Sequence, residues 1–164
     1  MAAPVATRTS CQTIADAVVI AALESLSDYR LTAESRQLME SVIVHAPRGC
    51  TAQELARYLA VPMPSLNSRC ARAGVPSPYA LLTGMRLAVV AALIAQGHPC
   101  WEAAEFCGLS TSQSLARHCR AHRGCTARAM GPVANQEFDR FLEMVARHET
   151  VAHPLTGTRH PVAA

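Results

Sequence analysis

The sequence predicts an all-α fold, with two helix-turn-helix subdomains joined by a long linker helix and extra helices at the N- and C-terminal ends. Three observations lead there. Alanine fills 30 of the 164 positions and half of all residues are apolar, whereas aromatics make up only 4%. That supply suits closely packed small helices and lacks the alternating β-branched and aromatic runs that sheets bury. Apolar residues recur at three- and four-residue spacing between the two ends. Capping signals, with Pro and Gly beside them, cut this pattern into short pieces. Charged residues reach only 16%, so the chain buries enough apolar surface to offset its ordering entropy.

Residues 1–10 carry no periodicity and are expected to form a tail. Residues 11–47 then supply N-terminal helices, the first over 11–27 with Ile14, Val18 and Leu26 on its apolar face, the second over 33–46 with Leu38, Met39, Val42, Ile43 and Ala46 in register. After Pro47 and Gly49, the run Thr51-Ala52-Gln53-Glu54 is a capping box, in which Thr and Glu satisfy two helix-start amides reciprocally. A helix from about Thr51 and another over 64–73, with Pro64 at its first position, form the first short pair, 51–73. Ser77-Pro78 starts the linker helix, 78–96, whose Leu81, Leu82, Met85, Leu87, Val89, Val90, Leu93 and Ile94 make it apolar on most sides. A helix from Pro99 through Cys107, a turn at Gly108-Leu109-Ser110 and a helix over 111–123 form the second pair, 99–123, with Ser110 and Gln113 suited to another capping box. Together the pairs and linker occupy 48–131. A C-terminal helix within 132–149 carries Phe138, Phe141, Leu142 and Val145, and residues 150–164 are expected to be a tail.

The net charge of +3 is unevenly spread. Residues 55–136 hold eight Arg against Glu102 and Glu105, a net +6, while residues 1–54 are −2 and 137–164 are −1. All fifteen cations are Arg and none is Lys, as a GC-rich genome gives and as bidentate phosphate contact favours. The uninterrupted apolar runs, seven residues from Ala17 to Leu23 and nine from Leu87 to Ala95, are short of a membrane span. No basic, apolar leader precedes them, so a cytoplasmic, nucleoid-associated protein is expected. Seven irregularly spaced cysteines then read as reduced, mostly buried fillers.

Two short helices joined by a tight turn, repeated with a period of ~48 residues, suit an arrangement in which one helix braces on the phosphate backbone and the next enters the major groove. In the second pair Arg117, Arg120 and Arg123 fall at i, i+3 and i+6, with no carboxylate between Glu105 and Glu137 to oppose them. The stretch from Glu102 to Gly124, with Ala104, Gly108, Arg117 and Gly124 in register, resembles the AraC/XylS family of bacterial transcription regulators. Leu55-Ala56, Leu59, Val61, Leu66, Pro78 and Arg86-Leu87 extend the resemblance upstream over about 80 residues. Departures accompany it: Leu109 and Leu115 stand for aromatics, Ser68 for an Arg, Cys70 and Cys119 for core Phe, Arg123 for an aromatic and Ala127 for a proline, while Gly74 falls one position early.

The resemblance implies sequence-specific binding of double-stranded DNA. Its base-reading positions correspond to Ser112, Gln113, Ser114 and Arg117 in the second pair and to Pro64, Asn67 and Ser68 in the first. Gln and Asn can pair with adenine and Arg with guanine. Arg69, Arg72, Arg120 and Arg123 are assigned to phosphate, which sets register and affinity without reading sequence. RNA polymerase, a separate sensor protein or a second copy of the chain are the further partners considered, because residues 1–47 are too few for the family's ligand-binding barrel. The alternative is a degenerate scaffold working as a protein-protein interaction module through its terminal helices. No cofactor, metal or catalytic residue is expected: Cys100, Cys107, Cys119 and His122 lack the paired spacing of structural zinc sites, and no nucleophile dyad or phosphate loop stands out.

Overall fold

The computed structural model describes residues 5–152, and these are helical without any strand. The order is α1 (Val5–Leu26), α2 (Ala33–His45), a 3-10 turn (Ala46–Arg48), α3 (Ala52–Tyr58), α4 (Met63–Arg72), α5 (Pro78–Ala95), α6 (Cys100–Phe106), α7 (Ser112–Arg123), a 3-10 stretch (Ala127–Val133) and α8 (Ala134–Ala152). The expected all-α class is therefore observed.

α5 organises the packing because its sequence leaves it no polar side. Leu81, Leu82, Met85, Leu87, Val89, Val90 and Leu93 are each no more than 2% exposed, and a helix apolar all round needs cover all round. α8 and the 127–133 stretch pack along it, α1 adds another wall, and α2, the 46–48 turn, α3, α4 and α6 meet the rest. Ser77 starts it, its side chain accepting from Ala80 N–H at 3.3 Å. By length and composition alone α5 could cross a bilayer, which corrects the reading that no segment approaches that length; two thirds of it is buried inside the protein.

The terminal helices spend their apolar faces on this core. α1 buries Cys11, Ala15, Ala22 and Leu26, and α8 buries Phe141, Leu142 and Val145. α1 begins six residues before the expected start at residue 11, so residues 5–10 are helix rather than tail. The end is anchored: Ser10 Oγ and Cys11 Sγ both lie against the His98 ring, which makes propagation of the helix toward its N-terminus inexpensive. α8 likewise runs on to Ala152. The remaining parts of the two expected tails, 1–4 and 153–164, lie outside the described residues.

The 48-residue period reappears as identical backbone bonding at the ends of α3 and α6. Val61 N–H bonds Ala56 O at 2.9 Å and Ala60 N–H bonds Arg57 O at 3.0 Å; in the second copy Leu109 N–H bonds Ala104 O at 2.8 Å and Gly108 N–H bonds Glu105 O at 3.1 Å. This paired closure needs a left-handed residue, supplied by Ala60 at φ 52° and by Gly108 at φ 71°. Past the turn the offset becomes 49, since buried Leu66 and Cys70 of α4 match buried Leu115 and Cys119 of α7. The second turn is thus one residue longer.

Two polar devices fix the entry to the first pair. The Thr51–Glu54 capping box forms as expected, with Thr51 Oγ1 accepting from Glu54 N–H at 3.2 Å and the Glu54 carboxylate accepting from Thr51 N–H at 2.8 Å. Arg86 of α5 donates to Ala46 O at 3.1 Å and to Cys50 O, a cation placed on the carbonyls that follow α2, where the helix dipole is negative. Burial pulls the Arg86 guanidinium below its ordinary value. The loop before the first pair also meets the turn of the second through glycine: a Cβ on Gly108 would stand 2.6 Å from Gly49 Cα, a spacing no side chain permits.

Candidate nucleic-acid interface

α7 is held by two buried anchors, Leu115 and Cys119, both 0% exposed. Turning that face inward fixes what the opposite face displays. Gln113, Ala116, Arg117, Arg120 and Ala121, at i, i+3, i+4, i+7 and i+8, line one shallow surface depression. Gln113, Arg117 and Arg120 are exposed. Neither Arg117 nor Arg120 forms an ion pair among the described residues; Arg120 Nε only donates to Ala116 O of its own helix, at 3.3 Å.

The cap of α7 differs from the expectation. Thr111, not Ser110, is the N-cap, its Oγ1 accepting from Ser114 N–H at 3.1 Å. The additional residue in the second turn moves the helix start on by one, so Gln113 is not the capping partner. Its amide has no hydrogen-bond partner among the described residues and projects from the exposed face. Ser114 is the residue drawn into the cap, with its hydroxyl 3.3 Å from Thr111 Oγ1 and 3.4 Å from Ser110 Oγ. Ser112 is exposed. Of the four residues singled out for base edges in this helix, three stand outward and Ser114 is half-buried beside the cap.

Arg123 is placed differently from Arg120. Its Nε pairs with Glu137 Oε2 of α8, and only 14% of the side chain is exposed. Glu137 is itself 1% exposed and takes a second cation, Arg140, at 2.6 Å. The reading that no carboxylate opposes the α7 arginines is corrected here, because α8 folds back and brings Glu137 to the last turn of α7. A buried carboxylate demands paired cations, so Arg123 serves the fold instead of standing ready for phosphate.

The first pair presents a more neutralised face. Glu34 of α2 pairs with Arg69 at 2.9 Å and Arg72 at 3.4 Å. Arg69 is 28% exposed whereas Arg72 is 65% exposed, so Arg72 keeps donors in solvent. Ser68, the counterpart of Arg117 at the 49-residue offset, is exposed but donates back to Pro64 O at 3.0 Å. Asn67 is exposed. Pro64, expected at the first helical position, is the second, after Met63.

A ring cluster joins α7 to the start of α5. The His118 and His122 rings are stacked with centroids 6.0 Å apart, and Tyr79 lies 6.4 Å from the first and 6.5 Å from the second. Burial, then the charges of His122, Arg86 and Arg117, push the His118 imidazole below its ordinary value. A neutral His118 avoids adding charge beside Arg117. Spacing placed His118 on the helix but gave no sign of the ring partners, since Tyr79 lies 39 residues upstream.

Comparison with family models, curated proteins and solved structures found no match for the chain. Any functional reading therefore rests on the residues and their arrangement.

Proposed function

We propose that the chain is a sequence-specific DNA-binding transcription regulator of the AraC/XylS type, with α7 as its major-groove reader. The observation that carries this reading is the outer face of α7: Gln113, Arg117 and Arg120 along one shallow depression, with both cations unopposed. A surface helix with two uncompensated guanidiniums and an unsatisfied amide has strong donors directed at solvent, and duplex DNA offers acceptors of both required kinds. Arg117 and Gln113, nearest the N-terminal half of α7, read base edges; Arg120 and Arg72 hold phosphate. Arg69 contributes less because Glu34 already occupies it. The first pair, with Ser68 in place of a cation, positions more than it reads.

The alternative, an interaction module working through its terminal helices, is the less favoured reading, because α1 and α8 spend their apolar faces on the core. The test is binding of the full chain to a randomised duplex pool by fluorescence anisotropy across a salt series, with sequencing of the bound fraction. A log–log salt slope of several, at ~0.9 per neutralised phosphate, together with an enriched motif supports the regulator. A steep slope without enrichment means nonspecific DNA coating, and no binding near physiological salt overturns the reading.

A further inference from the structure

The point where α1 meets the start of α6 gathers three side chains that no part of the DNA-binding reading uses. Cys11 Sγ of α1 lies 3.5 Å from His98 Nδ1. The same nitrogen lies 2.9 Å from Glu102 Oε2 of α6, and the three donor atoms all fall within 4.8 Å of one another. The group is shielded: Cys11 is 1% and Glu102 5% exposed, and the His98 side chain is 11% exposed.

The two neighbours of His98 Nδ1 compete for it. A single imidazole nitrogen carries at most one proton, so Nδ1 cannot make full-strength hydrogen bonds with both the thiol and the carboxylate. Three side chains that each offer a lone pair within 4.8 Å of the other two are what a cation requires. We propose that Cys11, His98 and Glu102 form a binding site for a zinc-class divalent ion, which clamps α1 to the first helix of the second pair.

The geometry fits with little movement. Metal–N and metal–O bonds of ~2.0–2.2 Å and a metal–S bond of ~2.3 Å in a tetrahedron separate N from O by ~3.4 Å and N from S by ~3.6 Å. The His98–Glu102 pair therefore opens by about half an ångström and the Cys11–His98 pair hardly moves. The ring is already oriented for it, because Ser10 Oγ sits 3.3 Å from the outer nitrogen, Nε2, as the outer-shell partner of a metal-bound imidazole does. A thiolate with an imidazole and a carboxylate selects a borderline-soft ion over magnesium or calcium. Burial of Cys11 also argues against a Cys–His nucleophile, since a thiol at 1% exposure meets no substrate.

The experiment titrates cobalt, then zinc, into the full chain after treatment with a chelator. One cobalt per chain, a thiolate-to-cobalt charge-transfer band and the ligand-field bands of tetrahedral cobalt are expected, with zinc displacing cobalt and raising the melting temperature. Cys11→Ala abolishes the charge-transfer band, and Glu102→Gln weakens binding tenfold or more. Cys100→Ala and Cys125→Ala, at the two less buried thiols, leave binding unchanged. Circular dichroism verifies that each variant folds; if Cys11→Ala does not, His98→Gln and Glu102→Gln decide. Absence of the band in folded wild type at saturating cobalt overturns the proposal. So does a band that survives loss of Cys11 and disappears with Cys100 or Cys125.

Discussion

The three α7 arginines lie at i, i+3 and i+6, yet their surroundings assign them three different losses on replacement by alanine. Arg117 is exposed and unopposed, so under the proposed function its removal deletes one bidentate base contact of ~1–3 kcal/mol, about 5- to 150-fold in Kd for the selected duplex, with a smaller effect on random duplex. Under the same proposal Arg120→Ala deletes a phosphate contact, lowering the salt slope by ~0.9 and weakening selected and random duplex about equally. Arg123→Ala acts on stability instead. It takes one of two cations from Glu137, which is 1% exposed. Complete loss of partners for a buried charge costs ~3–5 kcal/mol, but Arg140 stays at 2.6 Å and is 51% exposed, so the expected cost is about 2 kcal/mol. For a chain of this size that lowers Tm by ~4–8 °C. Anisotropy against both duplexes at four salt concentrations, with thermal melts of each variant, measures every term. Equal losses from Arg117→Ala and Arg120→Ala on both duplexes refute the division between base and phosphate. An Arg123→Ala protein that melts like wild type while its salt slope falls refutes the structural role given to Glu137.

The matched turns give a pair of opposite predictions. Ala60→Gly relieves a left-handed residue at φ 52° and is expected to stabilise by about 1 kcal/mol, whereas Gly108→Ala adds that strain and a clash with Gly49 and destabilises by at least ~2 kcal/mol; urea melts of the two variants read both signs. Burial holds the Cys70 and Cys119 thiols up at about 11 and Cys107 at about 12, so maleimide at pH 7.5 should modify the half-buried Cys100 and Cys125 first. Mass spectrometry finding Cys107 labelled as fast as Cys125 would show that the α6–α7 turn opens readily. His118 has its pKa lowered by burial first, so below the ordinary value of 6.5 the unfolded chain takes up a proton that the folded chain resists. Its contribution is thus complete above pH 6.5 and is lost as pH falls through that value toward the folded one. His118→Gln should melt with a shallower acid limb than wild type between pH 7.5 and 5.5, and an unchanged limb contradicts the shift.

What the sequence made legible was local, and what it hid was contact between distant elements. Helix starts at Thr51, Ser77 and Pro99 were readable within a residue or two because capping and proline geometry act over three or four positions. α5 was readable because no soluble environment other than a core accepts a helix apolar on every side. The surroundings of Arg123 are not legible locally because they depend on Glu137, fourteen residues on, reached only after α8 reverses over α5. The ion pair of Arg69 is hidden for the same reason, its partner Glu34 lying in α2. Cys11, His98 and Glu102 span 91 positions, and no spacing rule joins a residue of the first helix to the turn before the sixth. The exposure of Arg117 and Arg120 is legible for a physical reason: Leu115 and Cys119 fix the phase of α7 locally, and neither Arg meets an acidic side chain among the described residues. A charged residue read from sequence is therefore dependably placed in solvent only where the opposite helix face is strongly apolar, because that face alone dictates which way the charge points.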